Sequence, residues 1–83
     1  MTESNIQANT VLDARGLLCP MPVVKTAKAI KELEPGQVLK LIATDRGSIA
    51  DIPAWAQTTG NELLEQHEEG DDLVFFVRKA QEA

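Results

Sequence analysis

The alternation of apolar and polar positions along the chain predicts four short strands and two helices. Runs rich in Val, Leu and Ile predict strands at residues 10–14, 37–44 and 73–79, and a weaker, more polar strand at 62–68. Stretches with apolar residues three or four positions apart separate the first three strands. The predicted element order is therefore β-α-β-α-β-β.

Prolines and glycines mark the boundaries of the first helix. It is predicted to begin at Cys19-Pro20-Met21-Pro22 and to end at Pro35-Gly36. Its core-facing stripe is predicted to consist of Val23, Ala27, Ile30 and Leu33.

The second helix is predicted to follow a loop at residues 45–50. Asp51 fits its N-cap, Pro53 fits its first turn, and Gly60 fits the position just past its end. Its core-facing residues are predicted to be Ile49, Ile52 and Ala56, with Trp55 beside them.

This element order predicts a fold of class α/β (α+β), a two-layer sandwich. Strand–helix–strand units give parallel strands, whereas the short turn at residues 69–72 gives an antiparallel hairpin, so the four-stranded sheet is mixed. Two helices can cover only one face of this sheet. Residues 10–80 are expected to form a single domain, with a disordered N-terminal tail at 1–9 and a short C-terminal tail at 81–83.

The composition excludes several classes of protein. The single cysteine, Cys19, excludes an internal disulfide and a cysteine-rich metal site. The longest purely apolar run, residues 73–77, is too short for membrane insertion, and residues 1–9 lack the apolar segment of a secretory signal, so we expect a cytoplasmic protein. A net charge of −5 and only three aromatic residues argue against direct nucleic-acid binding.

The charge is unevenly distributed, and Cys19 lies in the basic part. Residues 1–31 have a net charge of +2, whereas residues 32–83 have a net charge of −7. Arg15 is close to Cys19 in sequence, and Lys25 is a candidate to be close in space. Both side chains would stabilise a thiolate at Cys19.

The two prolines predict how Cys19 is presented. A residue before proline avoids the helical region, so Cys19 fits the N-cap, with Pro20, Met21 and Pro22 at the first three helical positions. Because proline has no N–H, the amide of Met21 is the first-turn donor expected to meet the sulfur. A helix N-terminus stabilises negative charge, so we predict a thiol pKa lowered from about 8.5 towards about 7.5. A pKa above about 8.5 would weaken both this argument and any hypothesis of a functional thiol.

The rest of the sequence limits what this thiol can do. A hydrolase nucleophile needs a histidine base, and the only histidine, His67, is predicted to be a solvated strand residue. A dithiol redox cycle needs a second cysteine, which the chain lacks. The remaining chemistry is that of one thiol that accepts a group and passes it on, or of a single-cysteine redox sensor. A helix tip that binds a regulatory partner without chemistry stays open as an alternative.

Several sequence blocks resemble one family. The segment LDARGLLCPMP at residues 12–22 resembles the signature of the TusA (SirA-like) sulfur-carrier proteins, as do ATDRGS at 43–48 and DIPAW at 51–55. The closing segment FFVRK at 75–79 is similar to the family's last strand. The resemblance covers residues 10–80, and it implies the same two-layer fold with a mixed four-stranded sheet.

The resemblance also implies a function. It implies that Cys19 carries sulfur as a persulfide, without a cofactor, working stoichiometrically between protein partners. The implied donor is a cysteine desulfurase or a rhodanese, and the implied acceptor is a relay protein with a reactive cysteine. Implied outlets are 2-thiouridine formation in tRNA, molybdenum-cofactor supply and sulfur oxidation.

Other residues are weaker candidates for the site. Pro20, Met21, Pro22 and Arg15 are expected to support Cys19 because they adjoin it. Asp45 and Asp51 are candidate partner contacts, although a loop role explains Asp45 equally well and a capping role explains Asp51 better. Lys25 and Lys28 form either a docking patch or a solvated helix face, and Trp55 is better explained by packing than by binding.

Overall fold

The computed structural model describes residues 6–80 and contains the six predicted elements. They are β1 (Thr10–Ala14), α1 (Met21–Lys31), β2 (Val38–Ala43), α2 (Ser48–Thr59), β3 (Glu62–Glu69) and β4 (Asp72–Arg78). The expected C-terminal tail, 81–83, and the first five residues of the expected N-terminal tail lie outside the described residues.

The four strands form one mixed sheet in the order β1-β2-β4-β3. β1 and β2 are parallel neighbours, and their register ends with Ala14 opposite Ala43. β4 runs antiparallel to both β2 and β3, so β3 has the direction of β2 without pairing with it. The predicted fold class, a two-layer α+β sandwich with a mixed four-stranded sheet, is confirmed.

The helices cover one face of the sheet and form the main core with it. Ile30 of α1 and Ile52 of α2 pack with the inward side chains of the sheet, which include Leu41 and Phe75. Ile52, Leu41 and Phe75 have no exposed surface. Full burial of a side chain of this size stabilises the fold by about 1.5–3 kcal/mol, so these contacts fix both helices on the sheet.

The opposite face of the sheet is covered in part by the N-terminal segment. Val74 and Phe76 of β4 form a second apolar cluster with Val38, and Ile6 and Ala8 pack against it. The amide of Asn9 donates to the carbonyl oxygen of Val38 at 2.8 Å, and its side-chain oxygen accepts from the Val38 amide at 2.8 Å. Residues 6–9 thus make apolar and hydrogen-bonded contacts with the sheet, and the disordered tail at 1–9 stays a prediction.

The start of α1 differs by one position from the prediction. Pro20 is the N-cap and Met21 is the first helical residue, so Cys19 lies one residue before the cap. The buried stripe also differs, because Pro22 and Thr26 are buried together with Ile30. The hydroxyl of Thr26 donates to the carbonyl oxygen of Pro22 at 2.7 Å, which satisfies a polar side chain on the core side.

α2 begins earlier than predicted. The amide of Ser48 donates to the carbonyl oxygen of Asp45 at 3.0 Å, and this turn starts the helix with Gly47 as its N-cap. Asp51 is therefore wrong as the N-cap and lies in the first turn instead, while Pro53 lies inside the helix. The predicted end is confirmed, because Gly60 adopts a left-handed conformation with a φ of 80°.

Candidate functional site

Two neighbouring loops, the first at residues 15–20 and the second at 44–47, build the site at one edge of the sheet. Because β1 and β2 are parallel neighbours, the loops that lead from them into α1 and α2 leave the sheet at the same edge. The amide of Gly16 in the first loop donates to the hydroxyl of Thr44 in the second at 2.9 Å. The amide of Cys19 donates to Oδ2 of Asp45 at 3.2 Å. The first loop is thus held in place by the second.

Cys19 is an exposed thiol on the tip that these loops form. Its peptide bond to Pro20 is cis, and the carbonyl oxygen of Pro20 accepts the first helical hydrogen bond, from Val24, at 3.0 Å. Leu18, next to the cysteine, is 72% exposed, and Met21 is 41% exposed. Cys19 therefore lies between two exposed apolar residues of the chain, on a backbone that is hydrogen-bonded on both sides.

The predicted contact between the Met21 amide and the sulfur is wrong. That amide donates to the carbonyl oxygen of Leu18 at 2.8 Å, because a turn at residues 18–21 precedes the helix. The sulfur instead contacts a carboxylate from the other helix: Sγ of Cys19 donates to Oδ2 of Asp51 at 2.6 Å. The first turn of α2, rather than that of α1, provides the polar partner of the thiol.

This contact reverses the predicted effect on thiol ionisation. The hydrogen bond to Asp51 raises the pKa of Cys19 above its ordinary value, and desolvation and the negative charges of Asp51 and Asp45 raise it further. The predicted lowering of the pKa is wrong because the acidic part of the chain folds back onto the cysteine. The argument from helix-terminus activation therefore gives no support to a functional thiol.

Gly47 is a site residue that the sequence reasoning missed. A Cβ at this position would lie 3.0 Å from Oδ2 of Asp45, 3.7 Å from Cβ of Cys19 and 3.8 Å from Oδ2 of Asp51. Since its φ is −61°, the reason for glycine here is space rather than backbone conformation. The parallel pairing of the two strands before these loops is the signal that could have revealed this close approach.

Arg15 does not support the thiol as predicted. Its guanidinium donates to both carboxylate oxygens of Asp13 at 3.0 Å and lies 3.6 Å from Oδ2 of Asp72. The guanidinium lowers the pKa of Asp13 from 3.8 to about 2 by hydrogen bonding. In the described part of the chain, Arg15 thus forms its ion pairs with carboxylates and none with Cys19.

Lys25 and Lys28 lie on the exposed side of α1, as predicted. They line a shallow surface groove together with Met21 and Val24, and Val24 is 38% exposed. Among residues 6–80, neither lysine forms a salt bridge. This groove begins at Met21, two residues after the thiol, and combines apolar surface with positive charge.

Two further candidates lie away from the thiol. His67 packs its ring against Phe76, on the sheet face opposite the helices, and its Nε2 lies 2.6 Å from Oε2 of Glu69. Its side chain is only 23% exposed, so the prediction of a solvated residue is wrong. Trp55 is half-buried and packs against the main core, as the packing interpretation expected.

Two further kinds of site, a metal centre and a membrane span, are not found among residues 6–80. No group of three or more His, Cys, Asp or Glu side chains among them is arranged to hold a metal ion. Within the same residues, neither helix has the length and apolar character needed to cross a membrane. The site is thus a single exposed thiol with two carboxylates, built on an α+β sandwich.

Comparisons with known proteins identify the family of this chain. It belongs to the TusA family, because the family model described as sulfurtransferase TusA matches residues 10–79. The protein YrkI of Bacillus subtilis (strain 168) is 51% identical over 74 residues, which are 89% of this chain and 99% of YrkI. The sulfur carrier protein TusA of Allochromatium vinosum is 48% identical over 69 residues, 83% of this chain and 91% of that protein.

Longer relatives and a solved structure also match. The chain covers only 42% of a second Bacillus subtilis relative, YrkF. The crystal structure of a SirA-like protein from Desulfitobacterium hafniense superimposes with a TM-score of 0.75 over 87% of this chain and 99% of that one. At 24% sequence identity, that likeness concerns the fold.

Proposed function

We propose that this protein is a sulfur carrier that accepts sulfane sulfur as a persulfide on Cys19 and passes it to a thiol of an acceptor protein. The observation that carries the proposal is the placement of the chain's single thiol, exposed on an anchored strand–helix tip. Its relative in Allochromatium vinosum is named a sulfur carrier protein. Sulfur transfer needs an exposed sulfur that a partner thiol can approach.

The raised thiol pKa is compatible with this function. A higher pKa reduces the fraction of thiolate, but the thiolate that forms is a stronger nucleophile, so the two effects partly cancel. Docking onto a donor protein also places the two sulfurs next to each other, which raises their effective concentration. The rate of sulfur transfer in this proposal therefore comes from docking onto the partner protein rather than from a thiol activated in the free carrier.

The same property argues against the redox-sensor alternative. Cysteines that sense oxidants are exposed and have a low pKa, because the thiolate is the reactive form. Cys19 is exposed, but hydrogen bonding to Asp51 raises its pKa. A thiol of this kind is better suited to exchange with a docked partner than to reaction with dilute oxidants.

The groove on α1 is the docking surface in this proposal. Lys25 and Lys28, together with the exposed Leu18, Met21 and Val24, offer positive charge and apolar contact beside the thiol. We infer a partner surface with acidic side chains around its own reactive cysteine. Asp45 and Asp51 are assigned to the thiol instead, because both contact Cys19.

The partners in this proposal are those that the resemblance to the TusA family implies. A cysteine desulfurase or a rhodanese-like protein supplies the sulfur in the cytoplasm, and a relay protein with a reactive cysteine receives it. Thiolation of tRNA, molybdenum-cofactor supply and sulfur oxidation are the outlets that this proposal allows. A net charge of −5 favours an outlet that reaches RNA through a protein partner rather than by direct contact.

Intact-mass spectrometry tests the proposal directly. The protein is incubated with a cysteine desulfurase and cysteine, or with a rhodanese and thiosulfate. We expect the mass of one added sulfur atom, which a reductant removes and which the Cys19→Ser variant never acquires. Absence of sulfur uptake from both donors would contradict the carrier function and favour a non-catalytic interaction module.

A further inference from the structure

The strongest polar contact of the thiol lies on the sulfur that must leave when sulfur is released. Oδ2 of Asp51 is 2.6 Å from Sγ of Cys19, and Oδ2 of Asp45 is held 3.2 Å from the cysteine's amide nitrogen. Asp51 lies in the first turn of α2, next to the buried Ile52, and Asp45 lies in the loop before that helix. The backbone of Asp51 is therefore fixed on the core, and the amide of Cys19 holds the carboxylate of Asp45.

Release of the outer sulfur places a negative charge on Sγ, next to these carboxylates. In the loaded protein, Sγ is bonded to an outer sulfur that carries one hydrogen. An acceptor thiolate attacks the outer sulfur, a new sulfur–sulfur bond forms, and the bond between Sγ and the outer sulfur breaks. The electron pair of that bond stays on Sγ, which leaves as a thiolate and then takes a proton from water. No oxidant or reductant is consumed.

We propose that Asp51 makes Cys19 hold its sulfur against small thiols, because its carboxylate opposes the negative charge that Sγ must take up as the outer sulfur leaves. This role rests on the proposed persulfide function. It explains why the outer sulfur stays on Cys19 until an acceptor protein binds. A poorer leaving group is displaced more slowly at a given thiol concentration.

The surrounding charges support this assignment. Asp45 is the second carboxylate at the cysteine; it contacts the amide rather than Sγ, and its charge acts in the same direction. On α1, Lys25 is exposed, and no basic side chain is among the causes that shift the ionisation of Cys19. Arg15 is the basic residue nearest in sequence, and its ion pairs are with Asp13 and Asp72. The field at Sγ is therefore set by carboxylates.

The test measures loss of sulfur from loaded protein. The wild-type protein and the Asp51→Asn variant are loaded chemically with inorganic polysulfide, separated from it and mixed with glutathione. Loss of the added sulfur is followed by intact-mass spectrometry. We expect Asp51→Asn to lose its sulfur several-fold faster, since a leaving thiol of lower pKa is displaced faster. Asp45→Asn, which keeps the contact at Sγ, should show a smaller acceleration.

Controls separate this role from general effects. Glu32→Gln removes a carboxylate at the far end of α1 and should release sulfur at the wild-type rate. The unloaded thiol of Asp51→Asn should also react with an alkylating agent at lower pH than the wild type, a change that lost packing alone does not produce. Equal or slower release from Asp51→Asn would overturn the proposal. Since loading here is chemical, failure of protein donors to load the wild type would affect only the proposed function.

Discussion

The starts of the two helices lie at the same edge of the sheet but affect different properties of the thiol. The start of α1 has no acidic residue in its first turn, and it presents the thiol on a backbone with two prolines. The start of α2 carries Asp51 in its first turn, and this carboxylate contacts the sulfur of the other loop. One helix start thus positions the sulfur, and the other determines its ionisation.

The residues next to Cys19 determine its position and exposure, but they do not determine its ionisation. The position and exposure of Cys19 follow from residues next to it, since prolines restrict the backbone at and before themselves. Its ionisation follows from a side chain 32 positions away, because only the sheet topology brings Asp51 to the same edge. A helix terminus favours an anion by about 0.3–1 kcal/mol, and a hydrogen-bonded carboxylate on the thiol outweighs it here.

The largest expected effect comes from loosening the start of α2 from the core. Ile52 has no exposed surface and packs in the main core one residue after Asp51. Ile52→Ala should lower the free energy of unfolding by about 2–5 kcal/mol, because it leaves a cavity among fixed neighbours. Urea denaturation measures this loss. Val24→Ala on the exposed side of α1 is the control and should change stability by less than about 0.5 kcal/mol.

The prolines of the two helices should respond in opposite ways. Pro22 occupies the second position of α1, where no helical N–H partner is lost, and its ring is buried, so Pro22→Ala should destabilise the fold by at least about 0.4–1 kcal/mol through a freer unfolded chain and lost packing. Pro53 lies inside α2, where proline removes a helical hydrogen bond, so Pro53→Ala should stabilise the fold by a similar amount. Thermal unfolding of both variants checks the signs. The same sign for both substitutions would contradict the distinction between the helix starts.

The smallest expected effect is on the acid stability of the ion pair between Arg15 and Asp13, which lies away from the thiol. The pKa of Asp13 is lowered from 3.8 to about 2, so its ion pair stabilises the folded state above pH 3.8. This contribution is lost as the pH falls through about 2, because the carboxyl group then becomes protonated. The Asp13→Asn variant should therefore show a shallower loss of stability between pH 4 and 2. An acid profile identical to that of the wild type would refute this pairing.

Much of the fold could be predicted because its signals are local. The strands, the two helices and the end of α2 at Gly60 follow from apolar spacing and from glycine and proline positions. The start of α2 could not, since the turn from Asp45 to Ser48 competes with the capping preference of Asp51. The buried Thr26 was missed because its hydroxyl is satisfied by a carbonyl oxygen within the helix.

The residues of the candidate site could be predicted only in part, and its electrostatics could not. The sequence singles out Cys19 but offers Asp45 and Asp51 only as partner contacts or as loop and capping residues, whereas the structure brings all three together. Proximity in sequence predicts that Arg15 stabilises the thiolate, yet Arg15 pairs with Asp13 and Asp72. Net charge along the chain is a poor guide to local charge when a distant segment folds onto the site.

The ionisation of Cys19 tests the central claim most directly. The rate of alkylation of the thiol is measured against pH for the wild-type protein and for Asp51→Asn, in which the carboxylate becomes a neutral amide of the same shape. The contact between Sγ and Oδ2 predicts a wild-type midpoint above the ordinary pKa of cysteine and a lower midpoint in the variant. A midpoint that is unchanged or higher in Asp51→Asn would contradict the claim that α2 controls the thiol.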